Sequence, residues 1–139
     1  MNPLLAIRTF LSNTGLGYQQ FSDNSVTMMV PTDKLLVYMT IACVGHTLAV
    51  LVTLPTIIPS SRHDEFQRAF AEFNEAIDWG TISLNENNVH VLVTMEFTNH
   101  LIPEQVQLCF EQAYEITSSH SDNILRQLFA EHSQDKAGQ

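Results

Sequence analysis

The chain has 139 residues, and its fifteen acidic side chains outnumber six basic ones to give a net charge of −9 at neutral pH. That length fits one domain, with a core buried without help from disulfides or metal. The charge repels phosphate backbones and anionic lipid, which disfavours nucleic-acid binding and membrane docking. Partners with basic segments suit it better.

Cys43 and Cys109 stand far apart, each within an apolar-periodic stretch. They make no disulfide framework and no metal-type pair, and read as small buried hydrophobes of a protein in a reducing cytoplasm. The first residues lack the basic start of a signal peptide, and Arg8 interrupts their apolar run.

Residues 3–14 read as a helix. Asn2 caps it, Pro3 takes the tolerated first position, and Gly15 or Gly17 ends it. Residues 15–24 read mainly as a connection, with room for a short strand around 18–21.

Three strands are expected next. Val26, Met28 and Val30 alternate, and Pro31-Thr32-Asp33 turns the chain. Leu35, Val37, Met39, Ile41 and Cys43 form one face of the second strand. Leu48, Val50, Val52 and Leu54 do so in the third, after a hairpin at Gly45-His46. Residues 35–58 carry no formal charge and are long enough to span a bilayer. Eight β-branched residues among residues 35–54, with the Gly-His pair in the middle, favour a hairpin. Its opposite faces are apolar as well: Leu36, Tyr38, Ala42 and Val44, then Ala49 and Leu51. A strand with two apolar faces is covered on both. Helices of this chain or a second subunit should therefore cover the second face.

Pro55 and Pro59 close this run. Ser61 with Asp64 resembles a capping box opening the second helix. Phe66, Phe70, Phe73 and Ile77 give that helix one apolar stripe. Gly80 breaks it. Ile82 and Leu84 then form a fourth strand, residues 85–88 a turn, and Val89, Val91, Val93, Met95 and Phe97 a fifth. The other face of the fifth strand carries His90, Leu92, Thr94 and Glu96. Pro103 starts the last helix, with a kink or break expected in the polar segment 117–122. One domain over 1–132 and a flexible tail over 133–139 follow. The fold class is α+β, in the order helix, three strands, helix, two strands, helix, with an antiparallel sheet packed against helices.

This order and its residues resemble the type III secretion chaperones and, more closely, the YbjN family of bacterial proteins. The telling stretch is 55–110: a Pro-bounded strand end, a helix with Phe66, Phe70, Phe73, Asn74 and Ile77, then Gly80 and Thr81-Ile82-Ser83-Leu84. The Asn-rich turn, the strand 89–97 and Pro103-Glu104 complete it. The resemblance implies a small acidic protein, usually a dimer, without enzymatic activity. Secretion chaperones hold an extended client segment along the outside of their fold. YbjN-like proteins are linked to stress and motility regulation. Residues 15–24 and the interruption near 118 depart from the pattern.

Catalytic signatures are missing: there is no GxSxG, HExxH, Walker or Rossmann motif. Six histidines are scattered without the tight pairs that zinc favours. His90 and Glu96 share a strand face and could meet a substrate together. A protein-binding homodimer without cofactor is therefore expected, chaperone-like or regulatory, with a polypeptide partner at Trp79, Leu36, Tyr38 and Leu51. The competing expectation is a small-ligand site or enzyme pocket between the sheet and its helices.

Overall fold

The structure, a computed structural model, describes residues 2–137, with side chains as far as Phe129. Helix α1 spans Pro3–Thr14 and strand β1 Gln19–Ser22, followed by β2 (Ser25–Pro31), β3 (Leu36–Val44) and β4 (Thr47–Ile57). A single 3₁₀ turn at Ser60–Arg62 leads into α2 (His63–Glu75), then β5 (Thr81–Asn85), β6 (Asn88–Glu96) and α3 (Pro103–Ala137). The six strands form one antiparallel sheet in the order β1-β2-β3-β4-β6-β5.

The alternation in the sequence sets one face of this sheet. Val26, Ile41, Val50 and Val93 align across four strands, as do Met28, Met39, Val52, Val91 and Ile82 across five. All nine are buried. Helices α1 and α3 pack on them, α1 through Ile7, Phe10 and Leu11, α3 through Val106, Cys109, Phe110, Ala113 and Ile116. The Phe10 and Phe110 rings meet at 5.2 Å. Helix α2 lies along β5 and sends Phe66 and Phe70 into the same core. The fold is thus two layers, helices on one face of a sheet.

Residues 35–58 form the expected hairpin, turning at Gly45, whose φ of +59° suits a residue without Cβ. No helix among the described residues is long and apolar enough to cross a membrane.

Four local expectations change. The space at 15–24 holds β1, which makes six strands where five were counted. Its irregular pairing, with Phe21 extra between Gln20 and Ser22, hides any alternation. Strand β4 does not stop at Pro55 but runs on to Ile57, because its pairing with β6 is irregular between Thr53 and Ile57 and needs no donor at Pro55. The Ser61–Asp64 capping box does not form, since the 3₁₀ turn supplies the entry to α2 and no side chain caps it. Helix α3 is continuous through 117–122. There Thr117 Oγ1 donates to the Ala113 carbonyl at 2.8 Å, Ser119 to Glu115 at 3.3 Å, and Arg126 pairs with Asp122 at 2.8 Å. Hydroxyls that bond back along the helix no longer compete with it. The tail expected over 133–139 lies, in its side chains and its last two residues, outside the described residues.

Candidate functional site: the open sheet face

The second face of the sheet is uncovered by any described part of the chain. Leu36 is 52% exposed, Met29 48%, Tyr38 42% and Leu92 40%. The strand register arranges this face in rows. Met29, Tyr38, Thr53, His90 and Ser83 form one row from β2 to β5. Thr27, Thr40, Leu51, Leu92 and Thr81 form the next, and Ala42, Ala49 and Thr94 a third. The first two rows stand tall. The third is low, since two of its members are alanine.

Charge is nearly missing here. All six strands together contain one charged residue, Glu96, at the end of β6. The carboxylates lie elsewhere, as at Glu72 and Glu75 on α2, and Glu104 and Glu111 on α3. A water-facing antiparallel sheet ordinarily carries charged or strongly polar residues on its outer face. This one carries mainly Thr, Ala, Leu, Met and Tyr, with His90 and Ser83 in its first row.

Of the residues expected to bind a partner, Leu36, Tyr38 and Leu51 share this face. Trp79 stands apart, half-buried at the corner where β6 outruns β5. Its Nε1 donates to the Thr94 carbonyl at 2.6 Å, and its own carbonyl accepts from Gln112 Nε2 at 2.7 Å. It ties β6 to α3. Sequence reasoning missed Met29 and Leu92. Both sat in view as the out-of-phase apolar members of alternating strands.

Beside Met29 and Tyr38 a shallow hollow of about 520 Å³ runs under Gly17, Tyr18 and Gln19. Smaller hollows sit between α2 and β5, lined by Phe70, Asn74 and Leu84, and between α1 and α3, beside Phe10 and Glu104. The first is lined by two phenols, Tyr18 and Tyr38, with no carboxylate or imidazole beside them, and the last by the single carboxylate of Glu104. His90 and Glu96 do not meet: six residues along one strand separate them by about 20 Å. Among the described residues no three His, Cys, Asp or Glu gather as metal ligands.

The titratable groups that are perturbed all lie off this face. Burial pushes the Cys109 thiol up to about 12 and raises that of Cys43, so both side chains are poor nucleophiles. Burial lowers His120, whose ring stacks on Phe73 at 4.8 Å and whose Nδ1 has no hydrogen-bond partner. The hydrogen bond from Arg62 holds Glu65 below its usual range. Arg62 also donates to the Gln127 and Leu128 carbonyls at 3.1 and 3.0 Å, clamping α3 to the start of α2. These are structural uses of charge.

No family model and no curated protein matches this sequence. A solved structure does: the crystal structure of YbjN, a proposed transcription regulator from E. coli. It superposes with a TM-score of 0.64 at 14% identity, over 86% of this chain and 92% of that one. At that identity the likeness speaks for architecture alone. The chain has a YbjN-like α+β fold.

Proposed function

We propose that this chain is a non-enzymatic protein-binding module, regulatory or chaperone-like, that works through its open sheet face. One observation carries the reading: a sheet with a single charged residue, whose open face presents Met29, Leu36, Tyr38 and Leu92 to solvent, with Leu51 half-buried among them. Contiguous exposed apolar surface of this kind marks an interaction site. The net charge of −9 and the lack of any Lys or Arg on the sheet oppose direct contact with a phosphate backbone. A regulatory role would therefore run through protein contacts rather than DNA, at neither nucleic acid nor membrane, and without a cofactor. The structural likeness to YbjN, itself proposed as a regulator, is compatible with that role. A cytoplasmic location belongs to the same proposal, supported by two buried, unpaired cysteines that suit a reducing compartment.

A native mass spectrum of the protein purified from its own host tests this. Wild type should carry a second polypeptide, identical or different, and both Leu51→Lys and Leu92→Lys should lose it. A bare chain in all three preparations would overturn the proposal.

A further inference from the structure

The hollow of about 520 Å³ lies at the β1–β2 end of the open face. Two aromatic rings and a thioether line it. Tyr38 is the register partner of Met29 and stands on its β3 side, while Tyr18 stands on its β1 side. No charged side chain takes part in the lining.

The hollow also holds a break in the strand ladder. Backbone groups of alternate residues in an antiparallel strand point to opposite neighbours. The Asn24 carbonyl accepts from the Cys43 N–H at 2.9 Å, and the Thr32 N–H donates to the Leu35 carbonyl at 2.7 Å. Even-numbered residues of β2 therefore bond toward β3, and odd-numbered ones toward β1. Pairing with β1 stops at Gln19 and Thr27. Two residues on, the N–H and carbonyl of Met29 point to the same side and find no partner among the described residues. The next residue in phase, Pro31, has no N–H.

We infer that this hollow takes a proline-rich segment of a partner protein, in the polyproline II conformation and lying along β2. The inference rests on the reading of the open face as the protein-binding surface and specifies the occupant at one end of it. An added β-strand needs a run of donors and acceptors, and this edge offers a single N–H. A polyproline II segment forms no ladder and keeps its carbonyls free, so one donor serves it. Aromatic-lined grooves hold such segments because the segment is already stiff and its rings pack on the aromatic faces. The shallowness of the hollow suits a ridged segment better than a small molecule, which needs burial on most sides.

Charge agrees with this choice. The neutral lining matches an uncharged proline core, since a charge placed there would lose water and gain no partner. Beyond the hollow, exposed Asp23 in the turn after β1 lies four residues past Thr27, about 13 Å along the strand. At the other end Asp33 shares its exposed turn with Lys34, so that end is balanced. Polyproline II advances about 3.1 Å per residue. A basic residue placed four residues outside the proline core therefore comes level with Asp23.

An NMR titration of the isotope-labelled full chain with capped decaproline carrying one arginine at each end is the test. The amide signals of Tyr18, Gln19, Met29 and Tyr38 should shift together and approach saturation at about 1 mM peptide. Tyr38→Ala and Met29→Ala should each weaken binding about 10-fold. Leu92→Ala, three strands away on the same face, should leave it unchanged. Glutamates in place of the arginines should weaken binding several-fold at low salt, a difference that about 1 M salt removes. The spectrum shows whether each variant folds, and if Tyr38→Ala does not, Met29→Ala decides. The inference is overturned by unmoved signals at the hollow, by equal shifts from a Gly-Ser peptide with the same arginines, by equal binding of the arginine and glutamate versions, or by binding that survives both hollow variants. A chain that loses its co-purified polypeptide in Leu92→Lys yet ignores decaproline would refute the proline-rich occupant alone and leave the protein-binding reading standing.

Discussion

Replacing Gly80 with alanine should be among the most damaging single-methyl additions in this protein. The residue has φ +114°, and an added Cβ would sit 2.6 Å from Ile116 Cδ1, 3.0 Å from Val93 Cγ2 and 3.3 Å from the Leu92 carbonyl. Backbone strain at such a φ costs about 1–3 kcal/mol, and overpacking a tight core adds about 1–3 kcal/mol. A loss of about 3–5 kcal/mol is a large share of the roughly 5–15 kcal/mol of a typical domain. With a urea slope of about 2 kcal/mol per molar, the midpoint should fall by about 1.5–2.5 M. Gly45→Ala is the control. Its φ is +59°, nothing lies within 4 Å, and the left-handed backbone alone should cost about 1 kcal/mol. Ile116→Val deletes the closest atom. Alone it should cost about 1 kcal/mol, but combined with Gly80→Ala it should restore stability, a coupling of at least about 0.5 kcal/mol. If Gly80→Ala is no worse than Gly45→Ala, or the double mutant is additive, the steric account of this junction is wrong.

Three further outcomes follow from the same geometry. Asn74→Ala should lower stability by about 1–3 kcal/mol in urea titrations, because its side chain accepts from the Ile82 N–H at 2.8 Å and donates to the Ile82 carbonyl at 2.9 Å. Stability should fall in acid in two stages. His120, held below 6.5 by burial, contributes stability that is present above pH 6.5 and lost as pH falls through its folded value. Glu65, held below 4.5 chiefly by Arg62, contributes above pH 4.5 and loses that contribution at still lower pH. His120→Phe should flatten the upper stage and leave the lower one, read as melting midpoints against pH. Finally, a thiol reagent at pH 8 should label Cys109 and Cys43 only as fast as the native protein opens, since both are buried. Prompt labelling of native protein would contradict their packing.

Most of the fold was legible because the core obeys strict alternation. Val89 through Phe97 and Leu48 through Leu54 announce both strand and buried face, and Phe66 and Phe70 the apolar side of α2. What was not legible depended on contacts between distant residues. The peptide of Trp79 at the corner is fixed by Gln112, thirty-three residues away. Strand β1 exists through pairing with β2, since its own residues are all exposed and polar except Phe21. Helix α3 runs through its Ser/Thr segment with the Thr117 and Ser119 hydroxyls bonded back along the helix and the Ser118 hydroxyl buried without a partner, a choice that composition leaves open. As for the site, Leu36, Tyr38 and Leu51 stood out as the unexplained second apolar face. Their union with Met29 and Leu92 needed the register of four strands.

The two sheet edges bear on how a partner can approach. An exposed edge is the ordinary place for an extended segment to add as a further strand. At β5 the outward N–H and carbonyl of Ile82 are already taken by Asn74 from α2, so the ladder is interrupted at its middle. At β1 the strand is four residues long and the bulge at Phe21 breaks its register. Short, bulged and capped edges resist strand addition. The face between them has no such protection: it lacks the charges that keep a solvated sheet apart from its neighbours. Protein contact at this sheet should thus proceed by side chains packing on the face, with backbone pairing at the edges contributing little.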